Sequence, residues 1–346
     1  MMTPRRVVGL LVVGAVILAV GFWLGSQRSR SDLAVAGHPV LDGLKGAVND
    51  VTELRIAKGD GTRVTLKKLP NSWTVAEREY PADSGKVRKL LIDLGALEVV
   101  EEKTSDPASY ERIGVEDVKS AKATGTQVEA VTPKKTYSVI AGRSSGMKSS
   151  YVRVPGAAKS LLASPQVTAD ANPKQWLDRT MLDVAETRMR DVTVTPATGP
   201  AYTVSREKKE QTDFTVSNVP KGRELSNPSA GNAVAGELVS FMLDDVRKAP
   251  AATAGAKPTA TFRTFDGLEV QIDGVKEGDR HYIAVTPRST AKETATEAES
   301  LAARVKGWQY EIPAYKYDLM FKPLEELLKP KEDKKAPKDK AEPPTT

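Results

Sequence analysis

Between Tyr137 and Val154 the sequence YSVIAGRSSGMKSSYVRV offers three chemistries at once. Gly142-Arg-Ser144-Ser-Gly146 has the G-x-S-x-G spacing of a hydrolase nucleophile, which needs a strand, a sharp turn at the serine and then a helix. Ser145-Gly-Met-Lys148 has the S-x-x-K spacing, in which one helical turn sets a lysine beside a nucleophilic serine. Gly142 to Ser149 approaches a P-loop, whose backbone N–H groups cradle phosphate ahead of a helix. All three need helix where the sequence offers Ser149-Ser-Tyr-Val-Arg-Val-Pro-Gly, a strand followed by a turn. Gly146 disfavours the helical turn that S-x-x-K requires, and neither S-x-N nor K-T-G accompanies it. The P-loop spacing is one residue short, with Met147 between the glycine and Lys148. A Ser…Asp…His order would have to recruit His281, which opens the strand-like HYIAVTP. The stretch reads as a hairpin tip in which glycine supplies the turn geometry. The chain is expected to be no enzyme.

Other residues offer contact rather than catalysis. Arg143, Lys148, Tyr151, Trp176, Tyr282 and Trp308 are the candidates for touching a partner or ligand. Trp176 and Trp308 occupy equivalent places in a repeated pattern, which also suits a structural anchor in each copy. His38 stands beside Pro39 in a linker, where solvent exposure is expected. Asp244-Asp245 reads as a solvated helix end and Glu101-Glu102 as a solvated strand end. The absence of cysteine excludes disulfides and thiolate chemistry. No catalytic set, metal ligands or cofactor site emerges.

Charge placement narrows the partners. The formal net charge of +6 comes from Arg5, Arg6, Arg28 and Arg30 around an apolar run and from a lysine-rich C-terminal tail. The body between them is balanced, so it lacks the basic footprint that nucleic-acid binding requires, and nucleic acid is excluded as a partner. Val7–Gln27 carries no charge, and as a helix it would span about 30 Å, the thickness of the bilayer hydrocarbon. Phe22 and Trp23 near its distal end suit the headgroup interface. A cleavable signal peptide is the rival reading, with Ala34-Val35-Ala36 as its cleavage site, but that site lies well beyond two arginines. A retained anchor is therefore expected, with the lipid bilayer as a partner through residues 7–27. The location follows: a single-pass protein of the inner membrane with its body on the periplasmic or extracytoplasmic side.

The elements that would hold these residues are written twice. Asp50–Ala57 (DVTELRIA) is echoed by Asp191–Pro196 (DVTVTP), and Trp73-Thr-Val75 by Phe214-Thr-Val216 at the same offset. Val87 and Leu91 correspond to Val234 and Leu238, and Tyr151-Val-Arg-Val154 to Tyr282-Ile-Ala-Val285. The shared order marks a duplication, and SDPASYERIGVEDV has no partner in the second copy. Alternating runs such as VTELRIA, TRVTLKKL and SWTVAE predict strands. Asp83 or Ser84 caps a helix bearing Val87, Leu90, Leu91 and Leu94, and its second-copy counterpart should carry Val234, Leu238, Phe241 and Met242. The expected class is α+β: one N-terminal transmembrane helix, then two related units of mostly antiparallel sheet with packed helices. The boundaries expected are 1–30 for stub and anchor, 31–48 for a linker, 49–186 and 187–328 for the two units, and 329–346 for a disordered charged tail.

Several stretches together resemble the domain-of-unknown-function family 4340. They are Trp73-Thr-Val75, Tyr80-Pro-Ala-Asp83 with Val87, Leu90 and Leu91, then DPASYERIGV (Asp106–Val115), YSVIAG with YVRV, WLDRTMLDV and WQYEIPAY. The likeness runs over Val51 to Leu328, with Val115 where the family usually has leucine. It implies an N-terminal anchor, an exported α+β body in two related halves, and no catalytic residues. It further implies a non-enzymatic companion of ABC-2-type permeases and gliding-motility-like auxiliary subunits in an ABC-type export system of the cell envelope. Two alternatives stand beside it. One is an envelope module binding glycan or peptidoglycan through Tyr80, Tyr151 or Tyr282, and the other a hydrolase using Ser144 or Ser145.

Overall fold

In Glu53–Lys58 the apolar residues Leu54 and Ile56 alternate with polar ones, and both are fully buried. That alternation puts one face of a strand on a core and the other toward solvent, and it recurs throughout the computed structural model, which describes residues 36–250 and 257–330. Strands dominate. The chain divides into two compact units between Asp178 and Arg179, and each is built on one large antiparallel sheet.

The first unit contains β1 (Glu53–Lys58), β2 (Arg63–Lys68), β3 (Trp73–Val75), β4 (Tyr80–Pro81), β5 (Glu98–Glu102), β6 (Thr126–Val131), β7 (Thr136–Ser145), β8 (Ser149–Arg153) and β9 (Ser160–Ser164). Their order across the sheet is β4-β3-β2-β1-β6-β7-β8-β9-β5. The second unit contains β11 (Met189–Thr195), β12 (Tyr202–Ser205), β13 (Thr215–Val216), β15 (Asp245–Lys248), β16 (Thr259–Thr264), β17 (Leu268–Glu277), β18 (Arg280–Ser289) and β19 (Trp308–Ile312). Their order is β13-β12-β11-β16-β17-β18-β19-β15. Removing β4 and advancing every label by ten turns the first order into the second. The short strands β10 (Thr180–Leu182) and β14 (Phe241–Met242) form a separate pair.

Among the described residues helices are few and short, and here the expected α+β class is overturned: the described chain is mostly antiparallel sheet. The first-unit helix, Ser84–Gly95, forms as expected. The Asp83 carboxylate caps it, accepting from the N–H groups of Gly85 (2.9 Å) and Lys86 (3.1 Å). Val87, Leu90, Leu91 and Leu94 are its buried stripe. Its counterpart covers only Ala230–Ala235. Pro228, Gly231 and Gly236 weaken helix at both ends, and Ser240 adopts a left-handed φ of 46°. Leu238 and Phe241 are buried beyond the helix, and Phe241–Met242 is strand. Among the described residues no helix is long and apolar enough to cross a membrane, and the expected transmembrane helix over 7–27 lies outside them.

The chain expected to be linker is part of the first unit from Gly37 onward. Gly37 N–H donates to Val99 O (2.8 Å), Val99 N–H to His38 O (2.9 Å) and Val40 N–H to Leu97 O (2.9 Å). This strap covers part of the outer edge of β5, where unpaired backbone groups would otherwise face solvent. Leu44, in the short helix that follows, is fully buried.

Three glycines make the first sheet unlike the second. Lys58 pairs with Thr126 and Thr126 with Ala141, so Gly59, Gly125 and Gly142 stand side by side one step beyond. A Cβ on them would come within 2.2 Å of Ser120 O, 2.3 Å of Gly114 O and 2.3 Å of Ile113 O, respectively. Gly114 O and Ile113 O belong to the segment that has no second-copy partner, and Ser120 O lies two residues beyond it; this stretch lies with its backbone against the glycine row. Gly142, the first glycine of the G-x-S-x-G spacing, is needed for close approach rather than for a nucleophilic turn.

Two outcomes follow. Gly142→Ala forces backbone against backbone and should cost about 1–3 kcal/mol, the range for overpacking, in urea unfolding. In the second unit, Glu237 is 4 % exposed with Lys316 Nζ 3.4 Å from its carboxylate. Burial raises its pKa, against the opposing pull of Lys316. Between the ordinary glutamate value and that raised one, the folded state binds more protons than the unfolded. The contribution of Glu237 to stability therefore falls as pH rises through this window. Glu237→Gln should flatten that part of the stability–pH curve relative to wild type, measured by denaturant unfolding at several pH values.

Candidate functional site

The segment with no second-copy partner is built by local rules. The Asp106 carboxylate caps the turn Pro107–Ser109, accepting from Ala108 N–H (3.1 Å) and Ser109 Oγ (3.2 Å). One helical turn, Tyr110–Ile113, ends at Gly114, whose φ of 70° is the left-handed geometry that glycine adopts without strain. Tyr110, Val115 and Ile140 form a buried cluster, with Ile113 and Tyr151 packed on it. The Tyr110 hydroxyl donates to Ala158 O.

Arg153 holds this segment down. It is 2 % exposed and its guanidinium lies over the Tyr110 ring, 4.7 Å from the centroid. Nε donates to Val115 O (2.8 Å), Nη1 to Ala157 O (3.0 Å) and Nη2 to Asp117 Oδ1 (2.8 Å). Only a rigid fork of donors on a flat cation can do all of this from one side chain.

The result is a groove of about 830 Å³ lined by Glu101, Glu102, Lys103, Thr104, Arg112, Ile113 and Tyr151. Glu101 pairs with Lys103 (2.5 Å) and Glu102 with Lys159 (2.8 Å). Arg112 is exposed and makes no ion pair among the described residues. Tyr151 is half-buried and presents its ring to the same groove. Arg143 is exposed beside Gly114: a Cβ on that glycine would lie 3.5 Å from Arg143 Cγ. At the end of the β7–β8 hairpin, Gly146 takes the left-handed turn position, Lys148 is exposed, and Met147 is 93 % exposed. Arg143, Lys148 and Tyr151 thus share one hairpin, two of them in solvent.

The other sequence candidates are structural. Tyr282 is buried at 4 % exposure, with the Arg247 guanidinium 3.6 Å from its ring centroid. Arg247 is itself held bidentately by Glu277, at 2.8 and 2.6 Å. Trp308 is half-buried beneath Lys248, whose ammonium lies 3.8 Å from the ring centroid. Trp176 is buried, and its Nε1 donates to Asp170 O (2.6 Å). The two tryptophans are not equivalent in the fold. Trp176 closes a 3-10 turn after β9, whereas Trp308 opens β19, the counterpart of β9. Tyr80 is also buried, so of the three tyrosines offered to a glycan only Tyr151 reaches a groove.

The serine motifs dissolve in the register. Ser144 lies inside β7, paired with Ser150, and its Oγ accepts a hydrogen bond from Gln166 Nε2 (2.7 Å). An amide cannot take the proton that a general base must. Ser145 faces Ser149 across the hairpin, so Ser145 and Lys148 straddle a turn rather than share a helix face. Asp244 and Asp245, expected at a helix end, enter a strand instead. Arg179 Nη2 holds Asp244 at 2.7 Å, and Asp245 is buried. Arg112 and the buried anchor Arg153 are the functional-face residues that sequence reasoning missed. The signal for both was the unmatched segment, since Arg112 lies within it and Arg153 binds it.

A family model described as a domain of unknown function, DUF4340, matches residues 73–262, more than half of the chain. The chain belongs to this family. The match opens at Trp73 in β3 and closes at Phe262 in β16, so it takes in the capped helix, the unmatched segment and the β7–β8 hairpin. No curated protein and no solved structure matches the chain. In this DUF4340 protein the Pro…Tyr…Gly element therefore has a physical account: a turn, a ring under Arg153 and a left-handed stop.

Replacing Arg153 by Met keeps the bulk but leaves Val115 O and Ala157 O without their donor, at about 1–3 kcal/mol for each orphaned group. The variant should lose stability in urea unfolding, and trypsin should cut after Lys119 and Lys122 faster than in wild type.

Proposed function

We propose that this DUF4340 protein is a non-catalytic accessory subunit of an ABC-type export system. It is tethered to the inner membrane through residues 7–27, with its two sheet units on the extracytoplasmic side. The observation that carries the reading is an asymmetry within a duplication. Two units share one strand order, yet only the first carries the Asp106–Ala123 segment, between β5 and β6. In the second unit, residues 249–258 make the same connection. A repeated frame with one elaborated copy separates scaffold from recognition, since recognition concentrates in connecting segments held by a rigid frame. Around that segment stand Arg112, Arg143, Tyr151 and the hairpin tip with Met147 and Lys148, a mixture of cation, ring and flexible apolar side chain suited to a protein partner. The uncharged run Val7–Gln27 supports the tether, and the charge-balanced body supports a partner other than nucleic acid.

On this reading the partner is a multi-span permease, or an auxiliary subunit bound to one. Full-length protein extracted in mild detergent should co-purify with a multi-span membrane protein. The double variant Arg143→Glu, Met147→Asp should lose most of that recovery while its urea unfolding stays within about 0.5 kcal/mol of wild type, as surface changes do. Recovery of the chain alone, from membranes in which protease reaches the body only from the outer side, would refute the accessory role and leave the location standing.

A further inference from the structure

The second unit has a cavity of its own, of about 690 Å³. It forms where the helix Ala314–Met320 packs over β17 at Gly274. A Cβ there would come within 2.6 Å of Phe321 Cε2 and 2.8 Å of the Tyr317 hydroxyl. Three rings stack behind it: His281 to Tyr317 at 5.0 Å between centroids, and Tyr317 to Phe321 at 4.7 Å. The stack fixes the Tyr317 ring, which is only 7 % exposed. Its hydroxyl, which lines the cavity, makes no hydrogen bond among the described residues. The hydroxyl is open to the cavity, where a bound molecule can reach it.

The charges around it are also unmatched. Lys257, Lys276, Asp318 and Glu326 line the cavity, and none makes an ion pair among the described residues. Several ionic groups elsewhere in this unit do have partners: Arg188 with Asp266 and Glu297, Arg247 with Glu277, Arg263 with Asp191 and Glu269, Lys316 with Glu237. Two unpaired cations and two unpaired anions on one concavity set a requirement. A purely anionic ligand would meet Asp318 and Glu326 with like charge, and a purely cationic one would meet the lysines likewise. A ligand with both signs satisfies both pairs. The apolar walls, Pro258, Val275, Phe321 and Pro323, suit a short chain between the two charged ends, and the volume lies in the range of small-ligand sites.

We propose that this cavity binds a short peptide with free amino and carboxyl ends. Its carboxylate meets Lys257 and Lys276, its ammonium meets Asp318 and Glu326, and a peptide group takes the Tyr317 hydroxyl as its hydrogen-bond partner. This assignment goes beyond the accessory role and does not depend on it.

The test uses the purified full-length chain and three probes: tetra-alanine with free ends, the same peptide acetylated and amidated, and the neutral disaccharide chitobiose. Isothermal titration should show saturable binding of free tetra-alanine. Capping both ends should weaken it about ten-fold or more, the scale of a lost charge-assisted hydrogen bond. Lys276→Ala and Asp318→Ala, both at exposed positions, should weaken it similarly with unchanged thermal unfolding. Tyr317→Phe should weaken it while its urea midpoint stays close to wild type. No saturable binding of the free peptide, equal binding of the capped peptide, or binding of chitobiose in its place would each overturn the proposal.

Discussion

A single guanidinium sets the working face of the first unit. Arg153, the last residue of β8, is itself buried, and each of its three nitrogens donates to a different acceptor. Two of these acceptors are main-chain carbonyls in irregular chain, Val115 and Ala157. Regular sheet satisfies its own backbone, whereas a segment laid across a sheet has no ladder to join and must find donors elsewhere. Arg153 provides them, and the Tyr110 ring shields it on one side. The groove beside Tyr151 exists because the segment stays where this side chain holds it.

The second unit solves a related problem with the same kind of residue. Arg206, 7 % exposed, donates to Met189 O (2.9 Å), Gln211 O (2.9 Å) and Glu186 O (2.7 Å), with Phe214 stacked at 4.7 Å. It lies just past the end of β12 rather than on a counterpart of β8. Each copy has thus arrived at a buried arginine that serves carbonyls of non-sheet chain, Val115 and Ala157 in the first and Glu186 and Gln211 in the second, at a different place in the shared topology. The frame is duplicated; the stitching is not. That separation lets one frame carry an added segment and a groove while the other forms a cavity under the helix Ala314–Met320.

What could be read in advance follows from how local each signal is. The strands announced themselves through alternation at Leu54, Ile56, Val64 and Leu66, and the Ser84–Gly95 helix through its stripe and the Asp83 cap. The hairpin at Gly146 was legible because turn chemistry is short-range. The failures were of longer range. Leu238 and Phe241 match a helical stripe in spacing, but the helix stops at Gly236 before Leu238, a left-handed Ser240 precedes Phe241, and tertiary burial then places both outside it. The helix Ala295–Val305 escaped notice because alanines fill so much of its face. The equivalence of Trp176 and Trp308 rested on offsets alone, and a shift of elements between the copies defeats it. Tyr80 and Tyr282 looked available because aromatic residues carry no mark of burial in a sequence. The pairing of Gly59, Gly125 and Gly142 could not be seen until the register of three strands was known.

The strap at Gly37–Val40 has a mechanical meaning. Its backbone hydrogen bonds to Leu97 and Val99 join the chain's entry point to the edge strand, and β5 in turn is laced to β9 and the rest of the sheet. A load arriving through residue 36 is therefore shared among several bonds before it reaches the core, instead of extending a loose tether. Tension on this chain would be felt by the first sheet as a whole, and the turn bearing Arg112 rides on that sheet.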